Sequence, residues 1–143
     1  MQLALTTLLA VLAATASSKG INCEGSSECG RGRGNAASRL NAYIQAGPDN
    51  RWFNNRQQIA CVDASSDLTT QSAICAYLQN TGGAPLKNIK GLAPRILEHG
   101  CKNCGSVPYF FPADNNVANG ELTFNFVTKG CNARYDSGLC PGS

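Results

Sequence analysis

Eight cysteines constrain this chain more than any other feature: Cys23, Cys29, Cys61, Cys75, Cys101, Cys104, Cys131 and Cys140. What an even count means depends on the compartment, because cytosolic thiols stay reduced while those of exported chains oxidise in pairs. The N terminus supplies the compartment. Leu3 to Ala14 is apolar apart from Thr6 and Thr7, and Ala14-Thr15-Ala16 offers the small-residue pattern that signal peptidase cuts. No Lys or Arg precedes Lys19, so only the α-amino group is positive there. The run is too short to span a bilayer, which takes about 20 apolar residues. Residues 1–16 therefore read as a secretory signal peptide and residues 17–143 as one secreted, extracellular domain. Four disulfides are expected, although eight cysteines permit on the order of a hundred pairings by sequence alone.

Removing the signal leaves 127 residues (143 minus 16), a size suited to a single domain. The net charge of +3 is too mild for a nucleic-acid binder, which presents a strongly basic face. No second long apolar run follows, so no membrane insertion is expected. The domain reads as a monomer.

Hydrophobic spacing gives an α+β domain. Asn35 is placed to cap a helix that carries Ala37, Leu40 and Ile44 on one face and stops at Gly47-Pro48. Gln57 to Val62 and Ser72 to Gln79 read as strands; in the second, Ile74, Ala76 and Leu78 share one side. Thr81-Gly82-Gly83 signals a turn. Ile89, Leu92, Ile96 and Leu97 then mark a second helix, which Pro94 restricts to starting near Lys90 or later. Gly100 is placed to end it in a left-handed conformation. Leu122, Phe124 and Phe126 alternate with polar neighbours as a further strand. Residues 17–34, rich in Gly and Ser, predict irregular chain tied down by Cys23 and Cys29. The sum is an α+β domain, an antiparallel sheet with two helices packed on one face, stapled by disulfides.

Little in the sequence offers catalysis. Cys101-Lys102-Asn103-Cys104 is the single paired-cysteine motif, whereas zinc sites usually draw four ligands from two such pairs. It also follows a helix, where a thioredoxin-like redox pair precedes one. Structural disulfides are the favoured reading, with no metal and no organic cofactor. His99 is the sole histidine, and Glu98 points about 100° away from it on a helix. His99 reads as a helix-end cation rather than a general base. Arg31-Gly32-Arg33-Gly34 reads as a solvated basic loop, and Tyr109-Phe110-Phe111-Pro112 as packed chain rather than a membrane-inserting tip.

Two cysteine-bearing segments resemble the smut-virus killer toxin family: Gly20-Ile21-Asn22-Cys23-Glu24-Gly25-Ser26-Ser27-Glu28-Cys29-Gly30 and His99-Gly100-Cys101-Lys102-Asn103-Cys104-Gly105-Ser106-Val107-Pro108. Weaker matches run over residues 72–79 and 121–127. The resemblance implies a compact α/β sandwich and a secreted toxin, active on competing fungi, that inhibits calcium uptake by a membrane calcium channel. It also implies the bridges Cys23–Cys101, Cys29–Cys104 and Cys61–Cys131, which leaves Cys75 with Cys140. This sequence lacks other cysteines of the viral toxin and adds Cys75 and Cys140. The family's activity-linked lysine, two residues before the cysteine matching Cys61, falls on Ile59 here. The nearest basic residue is Arg56, which with Arg31, Arg33 and Lys102 makes up the candidate target-binding set.

The expected function is therefore a killer-toxin-like protein, antifungal or host-directed, and not an enzyme. The alternatives are a secreted interaction protein (an effector) using the same scaffold on another target, and a small secreted hydrolase such as a nuclease.

Overall fold

A computed structural model describes residues 19–66, 70–131 and 137–141; the expected signal peptide lies outside the described residues. Helix α1 (Ala36–Ala46) forms where the spacing predicts, and Ala36, Ala37, Leu40 and Ile44 are all fully buried. Its cap differs from the expectation. The side chain of Asn35 caps nothing. Instead Asn103 Oδ1 accepts from the amides of Gly34 at 3.0 Å and Ala36 at 3.3 Å, and the Lys102 carbonyl accepts from Ala37 at 3.0 Å. These contacts satisfy amides that a helix leaves without partners in its first turn.

Strands β1 (Trp52–Phe53), β2 (Ala60–Asp63), β3 (Ala73–Gln79) and β4 (Ala84–Pro85) follow. The expected strand from Gln57 begins only at Ala60, because Arg56 turns the chain with φ of 67°. Helix α2 (Leu86–Glu98) starts earlier than predicted and runs straight through Pro94. A prolyl ring inside a helix removes the amide that would serve the carbonyl four residues back. That carbonyl belongs to Lys90, and Gln45 of α1 donates to it at 2.8 Å. The neighbouring helix thus replaces the lost bond. Gly100, at φ of 92°, ends α2 as predicted, with Gly100 N bonded to the Leu97 carbonyl and Cys101 N to the Ile96 carbonyl.

Strands β5 (Gly105–Pro108), β6 (Glu121–Val127) and β7 (Gly138–Leu139) complete a five-stranded sheet of order β5-β6-β3-β2-β7. Every neighbouring pair in it is antiparallel, and β1 pairs with β4 in a separate ribbon. Both helices cover one face. Ile74, Ala76 and Leu78 of β3 and Leu122 and Phe124 of β6 are fully buried there with Leu40, Ile44, Ile89 and Ile96 of the helices. Each such side chain contributes on the order of 1.5–3 kcal/mol on burial.

The segment ahead of α1 is more ordered than its composition predicts. Asn22 bridges Ser106 at the edge of the sheet, and Ser27–Gly32 forms a 3-10 helix capped by the Ser26 hydroxyl. Gly32 is buried where no side chain fits: a Cβ there would lie 2.5 Å from Asn103 Oδ1 and 2.6 Å from Ile74 Cδ1.

Disulfides Cys23–Cys101 and Cys29–Cys104 hold this strap to the turn after α2. The other two pairings differ from those the resemblance implied. Cys61 joins Cys75 rather than Cys131, and Cys131 joins Cys140, which replaces Cys75–Cys140. The sheet register is the reason. Cys61 and Cys75 face each other directly across β2 and β3, with their Cα atoms 4.1 Å apart. Cys131 and Cys140 are left to close a nine-residue span beside them. All four sulfurs crowd together: Cys61 Sγ lies 3.8 Å from Cys140 Sγ, and the amide of Cys131 reaches Cys61 Sγ at 3.5 Å.

Candidate functional site

The sequence offers four candidate cations, and the fold gathers three of them. Lys102 and the Arg31–Gly34 segment are drawn together at the N terminus of α1 by the bonds to the Lys102 carbonyl and to Asn103. The Cys29–Cys104 bridge holds the same place from beneath. Arg31, Arg33 and Lys102 are all exposed. Arg31 pairs with Glu28 at 2.6 Å and its guanidinium lies 5.6 Å from the centre of the Phe126 ring. Arg33 and Lys102 stand outside the four ion pairs of the described residues. Arg39, which the sequence reading missed, adds a cation one turn into α1; its guanidinium donates to the Tyr43 hydroxyl at 3.2 Å. The available signal was its position just after a basic loop that leads into a helix. The result is an ordered cationic edge, where the sequence predicts a flexible loop.

Arg56 lies elsewhere. Its amide donates to the Leu78 carbonyl near the end of β3, whereas Gly32 packs on Ile74 near the start. Four strand residues separate those points, roughly 13 Å. Arg56 is exposed on a turn that its own positive φ makes, so it belongs to a different region of the surface. Ile59, at the family's basic position, is fully buried: its amide donates to the Ala76 carbonyl and its carbonyl accepts from Cys140. No cation fits there without a large penalty for desolvating the charge.

The remaining candidates resolve into structural roles. Cys101 and Cys104 bridge to the strap and not to each other. Cys61, Cys131 and Cys140 place their sulfurs within 4.8 Å of one another, the spacing of a metal cluster, but all three are tied up in disulfides and offer no thiolate. His99 sits at the C-cap of α2 and lines a hollow of about 210 Å³ with Ile21, Arg95, Glu98 and Phe111. The Glu98 carboxylate is taken up by Arg95 at 3.2 Å, so it is engaged away from any acid–base pairing with His99. In the aromatic cluster Tyr109 accepts from Asn88 at 3.0 Å and packs edge-on against Phe110, while Arg95 lies over Phe111. Phe110 alone is well exposed. Among the described residues no helix is long and apolar enough to cross a membrane.

Comparison with known proteins fits this arrangement. The sequence model of the Kp4 family matches residues 6–128. The chain is similar to the KP4 killer toxin of Ustilago maydis P4 virus, at 34% identity over 116 residues that cover 77% of this chain and 81% of the toxin. The family match spans the strap, both helices and every strand of the sheet except β7, and the chain belongs to the Kp4 killer toxin family.

Proposed function

We propose that this protein is secreted and acts from outside a target cell by binding a membrane calcium channel and reducing calcium uptake. Its family relationship to a killer toxin carries the reading. The cationic edge of Arg31, Arg33 and Lys102 supplies the physical means. An ordered row of cations suits the acidic entrance of a cation channel, where complementary charge accelerates encounter and fixes orientation. Stapling by Cys29–Cys104 lets the edge bind without first losing loop entropy.

The test is growth of several fungi with purified protein, with and without added calcium. Arg33→Ala combined with Lys102→Ala should weaken inhibition several-fold and steepen nothing in thermal unfolding, since exposed substitutions usually alter stability by less than about 0.5 kcal/mol. Arg56→Ala should have the smaller effect, because Arg56 lies apart from the edge. Inhibition that ignores calcium, or that survives loss of both edge cations, would refute the reading.

A second reading draws on Ile59. The position that bears the family's activity-linked lysine is buried here, so this chain uses either a different surface or a different target. A secreted interaction protein on the same scaffold accounts for that, and growth that no fungus loses at any calcium level would favour it.

A further inference from the structure

The sheet face turned away from the helices carries a hydrogen-bonding groove. In the register of β5, β6 and β3, Ser106 and Tyr77 both lie opposite Thr123, and Gln79 lies opposite Glu121. These side chains therefore share one face. Ser106 Oγ and Thr123 Oγ1 are 3.0 Å apart, Thr123 Oγ1 donates to Glu121 Oε1 at 2.7 Å, and Gln79 Oε1 lies 3.1 Å from the same hydroxyl. Ser106 and Thr123 are only 6% and 4% exposed, so their hydroxyls are held in fixed positions. The N-terminal strap forms the opposite wall, with Asn22, Gly25 and the ion-paired Lys19 and Glu24. The groove is shallow and open to solvent, with a volume of about 370 Å³, within the range of small-ligand sites.

The lining restricts what fits. Lys19 and Glu24 neutralise each other, so no free cation is left to hold a phosphate or carboxylate. Glu121 is the one remaining carboxylate, too few for a calcium cage, which takes 6–8 oxygens including several carboxylates. Apolar lining is limited to Val117 and the Gly25 backbone, which excludes a lipid or a greasy peptide. What remains is a set of hydroxyl, amide and carboxylate groups with bonding capacity to spare: an ionised carboxylate has about four acceptor sites, and an amide two donors and two acceptor sites. A ligand that both donates and accepts many hydrogen bonds while carrying no charge meets that set.

We propose that this groove is a saccharide-binding site that takes a neutral oligosaccharide, with Gln79, Glu121 and Thr123 as its principal hydrogen-bonding residues. A protein acting outside cells meets such glycans before it meets a membrane, so the site would concentrate it at the target surface. The inference is independent of the channel reading, because the cationic edge contributes none of the groove's lining.

Nuclear magnetic resonance titration of the disulfide-bonded protein with neutral β-1,3-glucan, chitin and mannan oligomers tests it. At least one series should give saturable shifts confined to Asn22, Ser106, Gln79 and residues 121–125. Gln79→Ala and Thr123→Val should each weaken that binding by about tenfold or more, a loss of about 1.4 kcal/mol. Gln79 is the safer variant because its side chain is partly exposed. Arg33→Ala should bind glycan as wild type does, which separates this site from the channel-binding edge. Absence of saturable shifts with all three glycans overturns the proposal. So do shifts centred elsewhere, unchanged affinity in a folded Gln79→Ala protein, or the same shifts produced by calcium chloride alone.

Discussion

The N-terminal strap and the C-terminal cysteine cluster are both stapled twice, but at very different spans. The strap bridges close 78 and 75 residues, whereas Cys61–Cys75 closes 14 and Cys131–Cys140 closes nine. The strap makes few backbone bonds to the sheet, chiefly the pair between Asn22 and Ser106, and contributes little apolar surface. Its order comes from covalent links and from side-chain acceptors elsewhere in the chain: Asn115 takes the Ile21 amide, Asn125 the Ser26 amide and Asn103 the Gly34 amide. The cluster bridges join chain that already pairs: β2 lies between β3 and β7 with continuous register through Cys61. One pair of bridges fixes position, the other reinforces contacts made by the strands. That difference places the cationic edge and one wall of the groove on the region whose geometry depends most on its disulfides.

The strongest way to break this comparison is to remove bridges in pairs. In the chain-entropy model, loops of 75–78 residues are worth about 4.5 kcal/mol, against about 3 for 14 residues and about 2.6 for nine. Replacing Cys23, Cys29, Cys101 and Cys104 together by alanine should therefore lower unfolding free energy by at least about 4.5 kcal/mol in guanidinium titration, because either strap bridge alone still closes the long loop. It should also release amides of residues 19–34 to fast hydrogen exchange. Equal or smaller losses than in the cluster variants would reverse the argument.

Next in size, Cys61→Ala with Cys75→Ala should cost about 3 kcal/mol while amides of β2 and β3 stay protected. Peptide mapping without reduction sharpens this further. It should recover Cys61 joined to Cys75; recovery of Cys61 joined to Cys131 would show that the strand register does not dictate the pairing.

Gly32→Ala probes the strap without touching a disulfide. The added methyl meets Asn103 and Ile74 well inside contact distance, and overpacking of this kind costs about 1–3 kcal/mol. Thermal unfolding should register the loss, and inhibition should fall with it as the edge shifts. A neutral result would mean that the strap yields easily.

The smallest effect concerns the cluster side. Tyr77 packs against Cys61, Cys75 and Cys140, and burial, seconded by the Glu121 charge, pushes its phenol above the ordinary value of about 10. A raised value means that the folded protein holds the proton more tightly. The associated stability is present below about pH 10 and drains away as pH rises through the folded value. Tyr77→Phe should remove that part of the alkaline loss, visible as a flatter dependence of melting temperature above pH 10; an unchanged slope would assign the loss to other groups.

Much of this was legible in residues alone. Leu40, Ile44 and Ile74 announced their faces by spacing, and Gly100 ended its helix where a residue without Cβ was expected. Pro94 misled because its remedy, Gln45, lies 45 residues away from the Lys90 carbonyl it serves. Asn35 misled likewise: the residue that serves as cap acceptor is Asn103, brought in by the tertiary fold. The cationic edge was legible as residues but not as a site, since Arg31, Arg33 and Lys102 look unrelated until Asn103 ties their backbones together, and Arg56 looks equivalent to them until it proves to sit apart.

The sequence by itself determined the two helices, the strands β2, β3 and β6, the α+β class, the oxidised state of eight cysteines and the family, because each rests on local pattern or on spacing along the chain. Tertiary structure alone decided the partners. Cys61 has three sulfurs near it, and the register of β2 against β3 makes Cys75 the one directly opposite; position 59 proved unable to carry a charge because its side chain is fully buried in the core. Pairing and burial depend on residues far apart in the chain meeting at a few ångströms, and short-range periodicity holds no record of such meetings.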